Sequence, residues 1–169
     1  ANTALLSIAM GGSLGMGRAD LFEVGLTALL HQVGIVDMPD RIRYNRVLQK
    51  GERDVLTQIP YHTARRLLQA HGPDLHAMAR LNAIIAMKNP VGQKKLNQDG
   101  KAVLVHAQPK PPLMARIVSV AARYDALTSE REFRAAMDPK KAITLMLRQP
   151  LALETTLVRL LAKLQNVVT

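Results

Sequence analysis

The chain has 169 residues, 23 Lys plus Arg against 13 Asp plus Glu, a net charge of +10, and no Cys or Trp. A length of this order bounds it to one domain, residues 1–169, and 48% apolar composition can fill a core without disulfides or structural zinc. Cysteine nucleophiles and thiolate metal sites are excluded, a cytoplasmic location is expected, and no apolar run reaches the roughly 18–20 residues that membrane insertion needs.

Apolar residues recur at helical spacing nearly throughout and no sustained strand-like alternation appears, which predicts an all-α fold. Leu5, Ile8 and Ala9 place a helix already under way at residue 1, ended by the glycines Gly11, Gly12, Gly15 and Gly17. Asp20 can open the next helix, which carries Leu21, Val24, Leu26, Leu29 and Leu30 up to His31. A turn-rich stretch through Gly34, Pro39 and Asn45 follows. Gly51 and Glu52 start a helix that Pro60 must break or restart, since proline has no amide donor and clashes with the preceding turn. Tyr61 to Ala70 continues as helix, stopped by His71, Gly72 and Pro73, and Asp74 to about Lys88 forms another.

Residues 89–113 hold Pro90, Gly92, Gly100, Pro109, Pro111 and Pro112, and a loop this long in a compact domain is functional, disordered or left over from a site. Within it, Lys101 to Val105 can pair with Gln93 to Leu96 as a small β-hairpin across Asn97 to Gly100. Three helices close the chain: Met114 to Leu127, then Pro139 to Leu147 with Asp138 as its cap, then Leu151 to Val168.

The excess of positive charge favours anionic partners, or else scattered Lys and Arg simply solubilise a helical surface. With two Phe and three Tyr, the chain nearly lacks the aromatic side chains on which bases stack, which argues against nucleic acid as a partner.

Two segments carry more specific information. Leu26 to Ile35 (LTALLHQVGI) followed by Met38-Pro39-Asp40-Arg41-Ile42 resembles the motif of HD-GYP domains, an apolar run, His-Asp, an apolar residue, Gly-Lys, then Pro-Asp. Ala115 to Arg134 (ARIVSVAARYDALTSEREFR) resembles that family's terminal signature, His62 lies where the family has a histidine, and Asn2 to Gly17 looks like its preceding helix. The resemblance spans almost the whole chain and implies an HD-superfamily helical bundle, the C-terminal part of a longer bacterial signalling protein, of a kind associated with hydrolysis of cyclic di-GMP.

In that family, His and carboxylate ligands hold two or three metal ions that generate a hydroxide and clamp the phosphodiester. Hard divalent ions need anionic oxygen ligands, and bridging two of them calls for a carboxylate. In this sequence His31 keeps the first letter of the motif, but Gln32 stands where the Asp is expected, Ile35 where the Lys is expected, and Ala122 where the terminal helix should present its metal-binding Asp. The family's His-His-Glu, Asp-Gly and Gly-Tyr-Pro region reads Ile84 to Gly92 (IIAMKNPVG), with neither the His pair nor the tyrosine. His31, Gln32, His62 and Ala122 are therefore vestigial metal-site positions, with no catalytic residue, metal or cofactor expected. Arg131 and Arg134 align with the family's basic positions that look like phosphate contacts, or they pair with Glu130, Glu132 or Asp138. Asp125, the second carboxylate of that segment, is expected to fix a helix end or loop.

Three readings follow from the resemblance. The first is a catalytically inactive HD-GYP-like signalling domain that contacts a protein partner and could form a homodimer. The second is a non-hydrolysing sensor that holds cyclic di-GMP or another anionic nucleotide through Arg131, Arg134 and the lysine-rich loop. The third is a metal-dependent phosphohydrolase with a rearranged site built from His31, His62, His71, His76 or His106.

Overall fold

The computed structural model describes residues 1–43, 50–71, 75–87, 94–96, 102–104, 111–130, 134–149 and 153–167. The fold is all-α, in the order α1 (Asn2–Ser13), α2 (Arg18–Leu30), a 3-10 turn (Val33–Asp37), α3 (Asp40–Arg43), α4 (Lys50–Leu56), α5 (Ile59–His71), α6 (Leu75–Ala86), α7 (Leu113–Thr128), α8 (Pro139–Leu147) and α9 (Thr155–Leu164). Between α6 and α7 the short strands β1 (Lys94–Leu96) and β2 (Ala102–Leu104) pair antiparallel, Lys95 opposite Val103, as the hairpin reading expects.

Helix α7 is the axis of the bundle. It contacts α1, α2, α6, α8 and α9, and Ala115, Ile117, Val118, Val120 and Ala121 are fully buried along it. A helix buried on so many sides must be apolar around most of its circumference, which the ARIVSVAA stretch provides. Met10 of α1, Val24 of α2, Ile143 and Met146 of α8, and Val158 and Leu161 of α9 complete the core with no exposed surface.

The helix limits differ from expectation where a packing demand overrides the local signal. Helix α1 runs through Gly11 and Gly12 to Ser13; Gly11 faces Leu21 so closely that a Cβ there would lie 2.9 Å from its Cδ2. The left-handed turn comes at Gly15, φ 77°. As expected, Pro60 restarts the helix: α4 ends at Leu56, and the proline falls in the first turn of α5, where no amide partner is required. Asp138 caps α8 as expected, its carboxylate accepting from the amides of Lys140 (3.0 Å) and Lys141 (3.1 Å). Helix α9 begins at Thr155, later than Leu151, and ends at Leu164. Residues 151–152 and 168–169 lie outside the described residues.

The expectation on apolar runs also needs correction. The 20 residues from Arg18 to Asp37 are apolar enough to match the length of a membrane span, because the interruption at His31 and Gln32 is uncharged. The continuous α-helix within them is α2, 13 residues. At 1.5 Å per residue that is about 20 Å, short of the roughly 30 Å of a hydrocarbon core.

The junction that orders the site lies between the 3-10 turn and α5. Gly34 presses on the first turn of α5, where a Cβ would lie 2.3 Å from the Thr63 amide nitrogen, 2.7 Å from the Ile59 carbonyl oxygen and 2.8 Å from the His62 carbonyl carbon. All three neighbours are backbone, so neither side can yield by a rotamer change. Gly34→Ala is expected to destabilise the protein by about 3 kcal/mol or more, at or beyond the upper end of overpacking costs. Thr63→Val, which leaves the Gly34 amide without its acceptor, should cost about 1–3 kcal/mol. Urea unfolding of both variants ranks the two effects.

Candidate functional site

The expected site lies where the C-terminus of α2 meets the start of α5. Thr63 is buried on α5; its hydroxyl donates to the His31 carbonyl at 3.1 Å and accepts from the Gly34 amide at 2.9 Å. One side chain thereby satisfies an end carbonyl of α2 and an amide of the following turn, so the chain leaves α2 in a fixed direction. His31, the C-cap of α2, has its Nδ1 2.7 Å from the Ala28 carbonyl. This contact makes Nδ1 the protonated nitrogen and leaves Nε2 as the bare acceptor. Nε2 is buried and has no hydrogen-bond partner among the described residues. Burial pushes the His31 imidazole below its ordinary value, outweighing the Ala28 hydrogen bond and the Asp125 field that push it up. His31 is therefore neutral at pH 7.

His62, one residue before Thr63, turns its Nδ1 to Asp37 at 3.6 Å. Arg66, one helical turn farther along α5, grips the same carboxylate through Nε at 2.9 and 3.0 Å and through Nη2. The Arg66 hydrogen bond is the main reason that the Asp37 carboxyl sits below the usual carboxylate range. These contacts commit His62 and Asp37 to the outer side of the junction.

Gln32 is exposed, and Ala122 is partly exposed on α7. A second carboxylate, Asp125, acts electrostatically on His31 and is tied to α1. Its Oδ2 accepts from the Thr3 hydroxyl at 2.6 Å and its Oδ1 from the Ser129 hydroxyl at 2.9 Å. Burial raises its pKa, but hydrogen bonds from Thr3, Ser129 and Asn2 together outweigh that and hold it lowered. Asp125 thus joins the first turn of α1 to the last turn of α7.

This donor set does not fit a bridged pair of divalent cations. One neutral imidazole nitrogen is available, the amide of Gln32 and the methyl of Ala122 bring no anionic oxygen, and Asp125 already accepts from three side chains. Among the described residues no three His, Asp or Glu side chains are grouped to hold a metal ion. Of the histidines considered for a rearranged site, His76 on α6 faces Glu23 of α2 at 3.7 Å, in a cluster completed by the Arg80–Glu23 ion pair at 2.6 Å. His106 and the side chain of His71 lie outside the described residues.

Of the two arginines aligned with phosphate contacts, Arg131 lies outside the described residues. Arg134 folds back onto the C-terminus of α7 and donates through Nη2 to the carbonyls of Ala126 and Leu127. A guanidinium there meets the negative end of the helix dipole. Reading the sequence did not single out Asp37, Thr63, Arg66 or Thr3. Their partners stand 29, 32, 29 and 122 residues away, a separation no local pattern reports.

The His31 environment sets a pH dependence. Its folded pKa is lowered, so below about 6.5 the unfolded chain takes up a proton that the folded chain refuses. Stability is full above that value and falls as the pH drops through the window between the unfolded and folded pKa. His31→Gln should flatten the dependence between pH 7 and 5, with urea midpoints as the measurement. Asp125 contributes in the opposite range: its folded pKa is lowered, so its stabilisation is present above about pH 4 and lost as acid protonates it.

The sequence matches the HD domain family model over residues 2–152. No curated protein matches the chain. The match covers both segments that carry the resemblance and the α2–α5 junction between them, and the chain belongs to the HD domain family, a superfamily of phosphohydrolase type.

Proposed function

We propose that the protein is a non-hydrolysing HD-GYP-type domain that serves a signalling pathway as a protein-interaction module. The observation that carries this reading is the charge of the donor set. His31 is a half-buried neutral imidazole, Gln32 and Ala122 add no negative charge, and the carboxylate of Asp125 is held by Thr3 and Ser129. Hydrolysis of a phosphodiester at neutral pH needs a cationic centre that lowers the pKa of water and offsets charge on the transferring group. The uncatalysed reaction is among the slowest known in water, so an incomplete centre leaves almost no rate.

The interaction role is supported by what the fold retains. The bundle core, the Asp125 tie between α1 and α7 and the Thr63 relay at the α2–α5 junction are contacts that the chain makes with itself. A bundle held by such contacts can present a fixed surface to a partner.

The test combines elemental analysis with turnover. The purified full chain, supplied with manganese or iron, is expected to carry substoichiometric metal and to leave cyclic di-GMP uncut. Two ions per chain, with hydrolysis abolished by His62→Ala, would overturn the reading. Calorimetry with cyclic di-GMP in the same preparation separates the interaction module, which gives no heat, from a sensor that binds without cutting.

A further inference from the structure

The first 36 residues differ in charge from the rest of the chain. They carry three formally charged side chains, Arg18, Asp20 and Glu23, for a local charge of −1 within a chain of +10. Residues 1–17 and 24–36 contain no Lys, Arg, Asp or Glu, and His31 is neutral. Six of the eleven large apolar side chains exposed among the described residues also fall here, including Leu5 (66%), Phe22 (66%) and Leu29 (59%).

These side chains form one surface. Helices α1 and α2 pack as an antiparallel hairpin with Ile8 against Gly25 and Gly11 against Leu21. Leu5 and Gly12 lie three before and four after Ile8; Phe22 and Leu29 lie three before and four after Gly25. Each set therefore shares a helix face with the residue at the seam. Because the helices are antiparallel and both right-handed, the two rows turn to the same side of the seam. The result is a ridge of Leu5, Ile8, Phe22 and Leu29 beside an opening over Gly12, where a Cβ would meet nothing within 4 Å.

We infer that this face is the interface through which two copies of the chain associate about a two-fold axis. Charge selects the occupant. Two chains of +10 repel each other wherever their basic surfaces meet, and α1 and α2 bring a single Lys or Arg, Arg18, to the face they share. A two-fold contact joins a surface to itself, and a neutral apolar ridge with an adjacent notch suits that geometry: Phe22 of each copy can seat over Gly12 of the other. Two such hairpins make an antiparallel four-helix layer, a common helical packing. An interfacial membrane site would instead present Lys or Arg along the rim, and Arg18 is the sole basic residue within residues 1–36. The inference is independent of the proposed function, since a dimer that hydrolysed a nucleotide would leave it intact.

Analytical ultracentrifugation of the full chain tests it, at tens of micromolar and at about 0.1 M and about 1 M salt, where the Debye length falls from about 10 Å to about 3 Å. A dimer is expected that holds or tightens with salt, because screening removes repulsion and leaves apolar contact. Phe22→Glu and Leu29→Glu should each weaken it at least tenfold, and Gly12→Leu should weaken it by filling the notch, all with unchanged circular dichroism. A monomeric wild type, a dimer that dissociates in high salt, or a dimer indifferent to all three substitutions would overturn the inference. So would a monomer that binds vesicles of anionic lipid through Phe22 and Leu29.

Discussion

The geometry of the site depends on the contact of two backbones at Gly34. A 3-10 turn presses onto the first turn of α5 with no room for a side chain between them, and the Thr63 hydroxyl bridges the two by linking the Gly34 amide to the His31 carbonyl. That junction fixes the direction in which α2 ends, and so the position of His31. It also sets the start of α5, which places His62 and Arg66 around Asp37. The HD domain site is thus organised by backbone and by one buried hydroxyl. Both are contacts that the chain makes with itself.

Much of the fold was legible in the sequence, and what escaped has physical causes. Helices α7 and α8 fall within a residue of their expected limits because periodicity, a capping Asp138 and Pro139 agree at those sites. Agreement between independent local signals is what makes a boundary readable. Helix α1 overran its glycines because Gly11 is used for close packing against Leu21, a tertiary demand that looks like a stop signal in sequence. The limits of α9 were misplaced because Leu151 and Leu153 extend its apolar stripe backwards while Glu154, as N-cap, begins the helix. In the site, the vestigial positions could be assigned by alignment with a motif, but their partners could not. Thr3 and Asp125 meet across 122 residues.

The charge pattern links the site to the surface. Residues 24–36 contain the motif segment and no formal charge. The motif that this segment resembles has one acid and one base where Gln32 and Ile35 stand, so the stretch here is uncharged. It supplies Leu29 of α2 and Val36 of the 3-10 turn to the exposed surface.

The state of Asp125 is set by its hydrogen-bond donors. A partly buried carboxylate without a nearby cation is driven toward protonation, and here the desolvation is overcome by donors: the hydroxyls of Thr3 and Ser129 and the side chain of Asn2. Two of those donors, Asn2 and Thr3, sit on α1, so the contacts that hold Asp125 ionised also dock the helix that carries Leu5 and Ile8. His31 solves the companion problem in the opposite way, by remaining neutral and giving its one proton to the Ala28 carbonyl. The two groups answer burial in opposite ways: Asp125 keeps its charge because hydroxyl and amide donors surround it, and His31 gives its charge up because burial outweighs the one carbonyl it meets and the field of Asp125.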